Sequence, residues 1–435
     1  MPKGSVNFVL CVDTEGPLNE TALACVTRLN HLFDLSLPLE AETLDKLRQG
    51  GFDLPDDVRR QINKVIAPDV RDWLGTWDQV ERNIDDCSTP EYRAQAIDDD
   101  GNGIVFNWFV CDWSGDFRVN PRHKPIGING VFERYWERFH NKPDTDPIYF
   151  HHHSVPLTKA THHPCRNWTN DTSHITSLVS QMLEFQHFAP CVRTPIMAAD
   201  ISFFCDQYFP FDLSNIALPP SSSDQPDVAS RRWVDWEGAP SDWSIYRPDP
   251  YDYRISGAGK RWIGRSIQLG SRYGNLDEAE MTKAFKRANA GEDVLMSCHI
   301  HDHSPMRKYG AFWAMLDKMR AAYPGVHFRN STAVDAFRRV AGIHDRPAPK
   351  LTMTVKGDEV WIDADAPIFG VQPWFGYKTK LGEYGWDNLD VIEPTRWRYT
   401  FDALTVPIDF ISAVGVACCD ASGNSAVVTK ELSTA

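Results

Sequence analysis

The chain has 435 residues and a formal net charge of −14. That length accommodates one large α/β domain plus a smaller one, and the acidic balance argues against nucleic acid or an anionic membrane surface as a partner. No apolar run reaches transmembrane length and the N-terminus lacks the pattern of an export signal. The expected location is therefore the cytoplasm, with the ten scattered cysteines read as reduced and those in apolar runs, such as Cys11 and Cys298, as buried thiols.

The first element is Ser5 to Pro17, SVNFVLCVDTEGP. Val6 to Val12 has strand length and apolar residues on both faces, which suits a buried parallel strand. Gly16-Pro17 stops it. Asp13 and Glu15 therefore stand at the carboxyl end of a strand, where parallel α/β folds place their sites. Their alternation aims both to one side, and a bound cation would relieve the repulsion between them. Residues 18 to 103 read as an insertion, with helices at Ala41 to Arg48 and Asp56 to Ile66. Asp98 to Gly103, DDDGNG, lacks the spaced ligands and closing Glu of a calcium loop and reads as a tight polar turn. Ile104 to Cys111 is the next expected strand.

Val131, Phe132, Tyr135, Trp136 and Phe139 fall at helical spacing. Pro147 to Phe150 then leads, strand-like, into His151-His152-His153. Ile175, Leu178, Val179, Met182 and Leu183 mark a further helix, and Phe188 to Val192 a short strand ending in Arg193-Thr194-Pro195. Residues 216 to 260, rich in Pro, Ser, Asp and Trp, are expected as long ordered loops. Their aromatics, Trp236 and Tyr246 among them, either line a sugar-binding cleft or pin the loop by packing. A capping box, Asn275 to Glu278, opens a helix that runs to Ala290. Asp293 to Cys298 is a strand running into His299-Ile300-His301-Asp302-His303. A helix through Phe312 and Leu316, a strand at Val326 to Arg329 and a helix at Thr332 to Ala341 complete the alternation.

Strand then helix, repeated, with polar motifs at strand ends, predicts a parallel α/β sheet over residues 1 to 346, best as a closed or nearly closed (β/α) barrel; a flat doubly wound sheet is the alternative, though no glycine-rich phosphate loop follows any strand. From residue 347 to 435 the helical period gives way to period-two alternation, as in Leu351 to Lys356 and Trp397 to Phe401. This stretch is expected as a small all-β sandwich, with Asp420 to Asn424 as a hairpin turn.

Four strand-end motifs need a joint explanation: Asp13-Thr14-Glu15, His151-His152-His153, Arg193 and His301-Asp302. Two imidazoles plus one carboxylate leave a coordination position for water, the arrangement of catalytic zinc sites. His151 and His153 alternate to one side of an extended chain, and His162-His163 is a rival source of ligands.

In order and position these motifs resemble those of the NodB-type polysaccharide deacetylases, a resemblance that implies a distorted (β/α) barrel of about seven parallel strands. VDTEGP resembles their first motif, which implies Asp13 as the base and Glu15 as a metal ligand. FHHHSVP resembles the second, implying His151 and His153 as ligands. CVRTP implies Arg193 as the residue that holds the base. LMSCHIHDH implies His301 as the catalytic acid, with His299 as rival. Asp302 or Asp235 would support that histidine, Asp235-Trp236 resembling the fourth motif. GVACCDASGN is similar to the fibronectin-type sandwich appended to some members. The resemblance thus implies a hydrolase that uses a divalent metal, zinc by expectation, to remove an acetyl group from an acetamido sugar of a surface-glycan precursor. The competing expectations are a carbohydrate-binding protein without turnover and a metal-dependent hydrolase of an O-acetyl ester or another amide. The sequence does not specify an oligomeric state.

Overall fold

All ten residues of β1 (Ser5–Thr14) are buried, and the molecule is built around it. The computed structural model describes residues 3–68, 71–111, 129–151, 173–194, 202–217, 236, 238–269 and 276–432. One edge of β1 pairs with β7 (Val294–His301) from Val6 to Asp13. The other edge is shared: β8 (His327–Asn330) takes Ser5 to Phe8, and β2 (Phe106–Cys111) takes Leu10 to Thr14. From β2 the sheet continues in parallel through β3 (Ile148–His151), β4 (Cys191–Arg193), β5 (Phe211–Asn215) and β6 (Trp262–Gln268), and returns to β7. Seven parallel strands thus close a barrel, as expected, and β8 lies beside it on β1.

Two of those strands, β5 and β6, fall where the sequence predicts no strand. Among the described residues between them, 238–261 form no regular strand and are held by isolated bridges from Tyr246 to Ile263 and from Pro248 to Ser256. The helix before β7 begins at Glu278, and its N-cap is Asp277, which accepts from the Glu280 N–H; Asn275 lies outside the described residues. The insertion contains the two expected helices, Thr43–Arg48 and Asp56–Ile66, plus Ala22–Phe33 and Trp77–Cys87. Val26, Leu29, Leu47, Ile62 and Val65 give its helices a small core of their own. The DDDGNG segment makes a tight turn, the Gly101 N–H donating to the Asp98 carbonyl at 3.2 Å. Asp98 and Asp99 accept from the Asn330 and Phe328 N–H groups and Asp100 faces His327 and Arg329, so the turn satisfies the flank of β8.

The chain leaves the last barrel helix, Ala333–Ala341, through Gly342 in a left-handed C-cap. It then forms two four-stranded antiparallel sheets, one with β9 (Leu351–Lys356) at its edge and β10 (Glu359–Ala364) in its interior, the other built on β11 (Trp374–Thr379) and β12 (Ile411–Cys419). Val360, Ile362, Trp397, Phe375 and Val416 pack between them. Asp420 to Asn424 makes the expected hairpin, with the Asp420 carboxylate accepting from the Ser422 and Asn424 N–H groups. The second sheet also packs on the barrel. Trp374 meets Phe204 and Tyr208 edge-on, and Lys378 and Tyr384 both reach Glu184 on the Ser173–Phe185 helix, at 2.7 and 2.9 Å.

Candidate functional site

Side chains alternate along each strand, so residues two apart share the barrel interior. The β1–β7 register sets Asp13 beside His301 and Cys11 beside His299. Across the barrel, His151 at the end of β3 is level with Arg193 at the end of β4. The carboxyl ends of four strands thus bring the sequence motifs to one rim, the face on which barrel enzymes carry their chemistry.

Arg193 and Asp13 form a deeply buried polar contact there. Nε donates to Oδ1 at 2.7 Å and Nη2 to Oδ2 at 3.0 Å, while Nη1 donates to the Leu213 carbonyl at 2.6 Å. The guanidinium is fully enclosed and the carboxylate 2% exposed. Burial alone would raise the Asp13 carboxyl, but Arg193, and after it His151 and His299, more than offset this and hold it well below the usual carboxylate range. Asp13 is therefore an anion whose two oxygens are fixed in direction.

The His151 ring packs its Nδ1 2.7 Å from the Arg193 carbonyl. A carbonyl only accepts, so Nδ1 carries the hydrogen and the lone pair of the neutral ring is on Nε2. That tautomer is the one metal-ligating histidines use, with a backbone carbonyl orienting the ring. Together with the buried Glu15 carboxylate the donor chemistry fits a divalent cation of the zinc type. Among the described residues no cluster of three or more His, Cys, Asp or Glu side chains has the spacing to hold a metal ion. The third expected ligand, His153, lies outside the described residues, as do His162, His163 and Asp235.

His301 stands at the mouth, its side chain 22% exposed, with Nε2 3.6 Å from Glu15 Oε1. Gln268, from β6, sets its amide nitrogen 3.3 Å from His301 Nδ1. The His303 ring stacks on His301 at 4.9 Å. His299 lies one layer deeper, with Nδ1 3.3 Å from Ser266 Oγ. Burial, reinforced by the charge of Arg193, pushes its pKa well below the ordinary histidine value. It is a neutral ring in the barrel wall and a poor proton carrier.

Asp302 turns its carboxylate to the acidic turn. It accepts from the Glu15 N–H at 3.0 Å, the Gly16 N–H at 2.9 Å and the Tyr135 hydroxyl at 2.8 Å. Its own N–H donates to the Asp13 carbonyl at 3.2 Å. Gly16 has φ 73°, a left-handed conformation that glycine adopts without steric cost and that lets two successive N–H groups face one carboxylate. Asp302 therefore positions Glu15. The sequence predicts it only as an aid to His301, and predicts for Tyr135 only a place in a helix core. The available signal is a tyrosine rather than a phenylalanine at a buried helical position, since a buried phenol needs a partner. Gln268 and Ser266 escape the sequence reading together with β6.

Trp236 and Tyr246 are packed aromatics, 5% and 4% exposed. Trp236 meets Tyr253 edge-on, and the Tyr246 hydroxyl donates to the Tyr253 carbonyl. Of the two expected roles, the described residues around them show the packing one.

No family model matches the chain, and no curated protein matches it. Among solved structures it is similar to a modular endo-β-1,4-mannanase from Cellulomonas fimi, of glycoside hydrolase family 26. The identity is 11% and the TM-score 0.23, over 97% of this chain and 93% of that one. A double mutant of the Cellulomonas fimi endo-β-1,4-mannanase gives 12% identity and a TM-score of 0.18, over 82% and 69%. At these values the likeness carries no argument about this chain.

Proposed function

We propose that the protein is a metal-dependent carbohydrate N-deacetylase of the NodB type, hydrolysing the acetamide of an amino sugar. The supporting observation is the doubly hydrogen-bonded, enclosed Asp13–Arg193 pair on the rim that also carries Glu15, His151 and His301. An anion held this way is in the protonation state from which a general base starts.

Glu15 and His151, with His153, would hold the cation, zinc by preference. When bound it supplies positive charge that acidifies water and polarises the acetyl carbonyl. The chain's own groups do the rest. Asp13 takes a proton from the attacking water, and Arg193 keeps it ionised and aimed. As oxygen adds to the acetyl carbon, His301 delivers a proton to the sugar nitrogen. The C–N bond then breaks with the electron pair on a neutral amine, because an amide nitrogen leaves poorly as an anion. Acetate and the amino sugar are the products.

The test is acetate release from N-acetylglucosamine mono- and oligosaccharides, with and without chelator and after zinc is restored. Asp13→Asn and His301→Ala are expected to abolish release. A wild-type protein that frees no acetate from any acetamido sugar overturns the proposal. Release from O-acetyl esters alone changes the bond, and sugar binding without release makes the protein a binder.

A further inference from the structure

The chain that leaves β7, Asp302 to Met306, is held by the insertion between β1 and β2. Leu74 N–H donates to the His303 carbonyl at 2.8 Å, and the Leu74 carbonyl accepts from Leu18 N–H at 3.0 Å. The insertion segment at Leu74 is thus laid between the chain leaving Glu15 and the loop leaving His301. The helix Trp77–Cys87 makes a second attachment through one side chain. Asn83 Oδ1 accepts from the Met306 N–H at 2.8 Å, and Nδ2 donates to the Ser304 and Asp302 carbonyls at 3.3 and 3.4 Å. Beyond it, the Tyr92 hydroxyl donates to the Met306 carbonyl at 3.0 Å.

We propose that Asn83 is a positioning residue for the candidate site, acting through this loop on Asp302 and on the ring of His303. The inference rests on the proposed function for what Glu15 and His301 do, and on geometry for what holds them. A carboxamide has one oxygen that accepts and two N–H groups that donate. The partners of Asn83 fix which way it faces, because the reversed group would set its oxygen against two carbonyls and its nitrogen against an N–H. Asp302 is thereby held at both ends of its own backbone, its N–H on the Asp13 carbonyl at 3.2 Å and its carbonyl on Asn83. Its carboxylate, which accepts from the Glu15 and Gly16 N–H groups, inherits that placement. One residue on, His303 has its carbonyl on Leu74 and its ring stacked 4.9 Å from His301.

The helix that presents Asn83 is itself anchored. Val80, Ile84 and Cys87 are buried in the same apolar cluster as Val12 and Ile300, from the strands that carry Glu15 and His301. A loop bonded to a packed helix moves with the helix, whereas a loop without such bonds opens by itself. Contacts one layer out from a metal ligand set its direction, and with it the affinity of the site. Arg307 and Lys308 also reach Asp72, at 3.4 and 3.3 Å, but these pairs face solvent and add little.

The experiment measures amide hydrogen exchange at single residues of the full-length protein without added metal, in wild type, Asn83→Ala, Tyr92→Phe and Ile84→Val. The quantity read is the exchange rate of the Glu15 and Gly16 N–H groups relative to that of Val9 and Leu10 in the same chain segment. A general loss of stability speeds all of them alike and leaves the ratio unchanged. Asn83→Ala is expected to raise the ratio about tenfold, the effect of one hydrogen bond on an opening equilibrium. Tyr92→Phe raises it less and serves if Asn83→Ala does not fold. Ile84→Val thins the packing of the same helix and leaves the ratio at the wild-type value. In a zinc competition assay, Asn83→Ala is expected to raise the dissociation constant about tenfold or more. A ratio that the Asn83 or, failing that, the Tyr92 variant leaves unchanged, or that Ile84→Val raises as much, overturns the proposal. Unchanged zinc affinity in a protein that binds zinc does so as well. Acetate release with an unchanged ratio leaves the deacetylase standing and removes the brace. A raised ratio in a protein that neither binds zinc nor releases acetate does the reverse.

Discussion

The Tyr135 hydroxyl donates to the Asp302 carboxylate at 2.8 Å, with both groups enclosed in the barrel wall. The same carboxylate takes two backbone N–H groups from Glu15 and Gly16. A helix outside the barrel is thereby connected through one side chain to the acidic turn. Tyr135→Phe removes one donor and leaves the others in place. It is expected to cost about 1 kcal/mol in chemical denaturation. Asp302→Ala strands two buried N–H groups and a phenol, and about 3 kcal/mol or more is expected. Asp302→Asn, which keeps one acceptor, falls between them. Equal, negligible losses for all three would show that the turn is not held this way.

What the sequence made legible follows from where satisfaction is local. Val6 to Val12 and Asp293 to Cys298 are apolar runs broken by charge, so the first and last barrel strands and their terminal acids and histidines stand out. The strands β5 and β6, FDLSN and WIGRSIQ, look like loops because their polar residues find partners far along the chain. Asp212 meets Arg261 at 3.1 Å, and Arg265 meets Glu280 at 2.6 Å. No window of ten residues reveals that a buried charge has been neutralised. The same holds for Trp236 and Tyr246, whose composition suits a cleft and whose surroundings are core. The rim motifs were readable as a set because four separate strands end alike; the direction in which Asp302 points was not, since it depends on Gly16 and Tyr135.

Removing one half of the Asp13–Arg193 pair leaves an enclosed charge. Arg193→Ala is expected to destabilise the protein by about 3–5 kcal/mol, read from the shift in urea midpoint. Arg193→Lys keeps the charge but presents a single ammonium where two parallel hydrogen bonds now run. It should recover part of the stability and little of any acetate release. A lysine variant as active as wild type would show that the aim of Asp13 is immaterial.

His187 supplies a pH dependence outside the site. Its ring lies 5.4 Å from Phe132 and 5.3 Å from Trp136, and burial depresses its pKa from 6.5 to about 4. The folded state therefore prefers the neutral ring, while the unfolded chain takes up a proton at the ordinary value. Between about pH 6.5 and about pH 4 the unfolded state binds more protons, so stability falls as pH falls through that window and the slope ends below it. The span amounts to at most about 3 kcal/mol. His187→Gln removes the titration, and the difference between wild type and variant, measured in urea at pH 7.5, 6 and 5, should shrink as pH drops. A difference that stays constant with pH would rule out this assignment.

Beside the Trp374, Lys378 and Tyr384 contacts, two glycines of the sandwich lie against the barrel's Ser173–Phe185 helix. A Cβ at Gly376 would lie 2.7 Å from both methyl carbons of Val179, and one at Gly415 would lie 2.7 Å from Leu183 Cδ2. Val179 and Leu183 are one turn apart on the Ser173–Phe185 helix, so the helix lies in a trough that the missing side chains create. Gly376→Ala must push the sheet or the helix aside, and overpacking of this kind costs about 1–3 kcal/mol. Because the contact joins the two parts of the molecule, the variant is expected to lower the thermal midpoint and to make the Glu184–Lys378 ion pair, now 2.7 Å, easier to break. Val179→Ala in the same chain supplies the missing space and should recover most of the loss. Failure of that second change to rescue the first would mean that the strain is borne elsewhere, at the Gly385 carbonyl 3.2 Å away on the neighbouring strand.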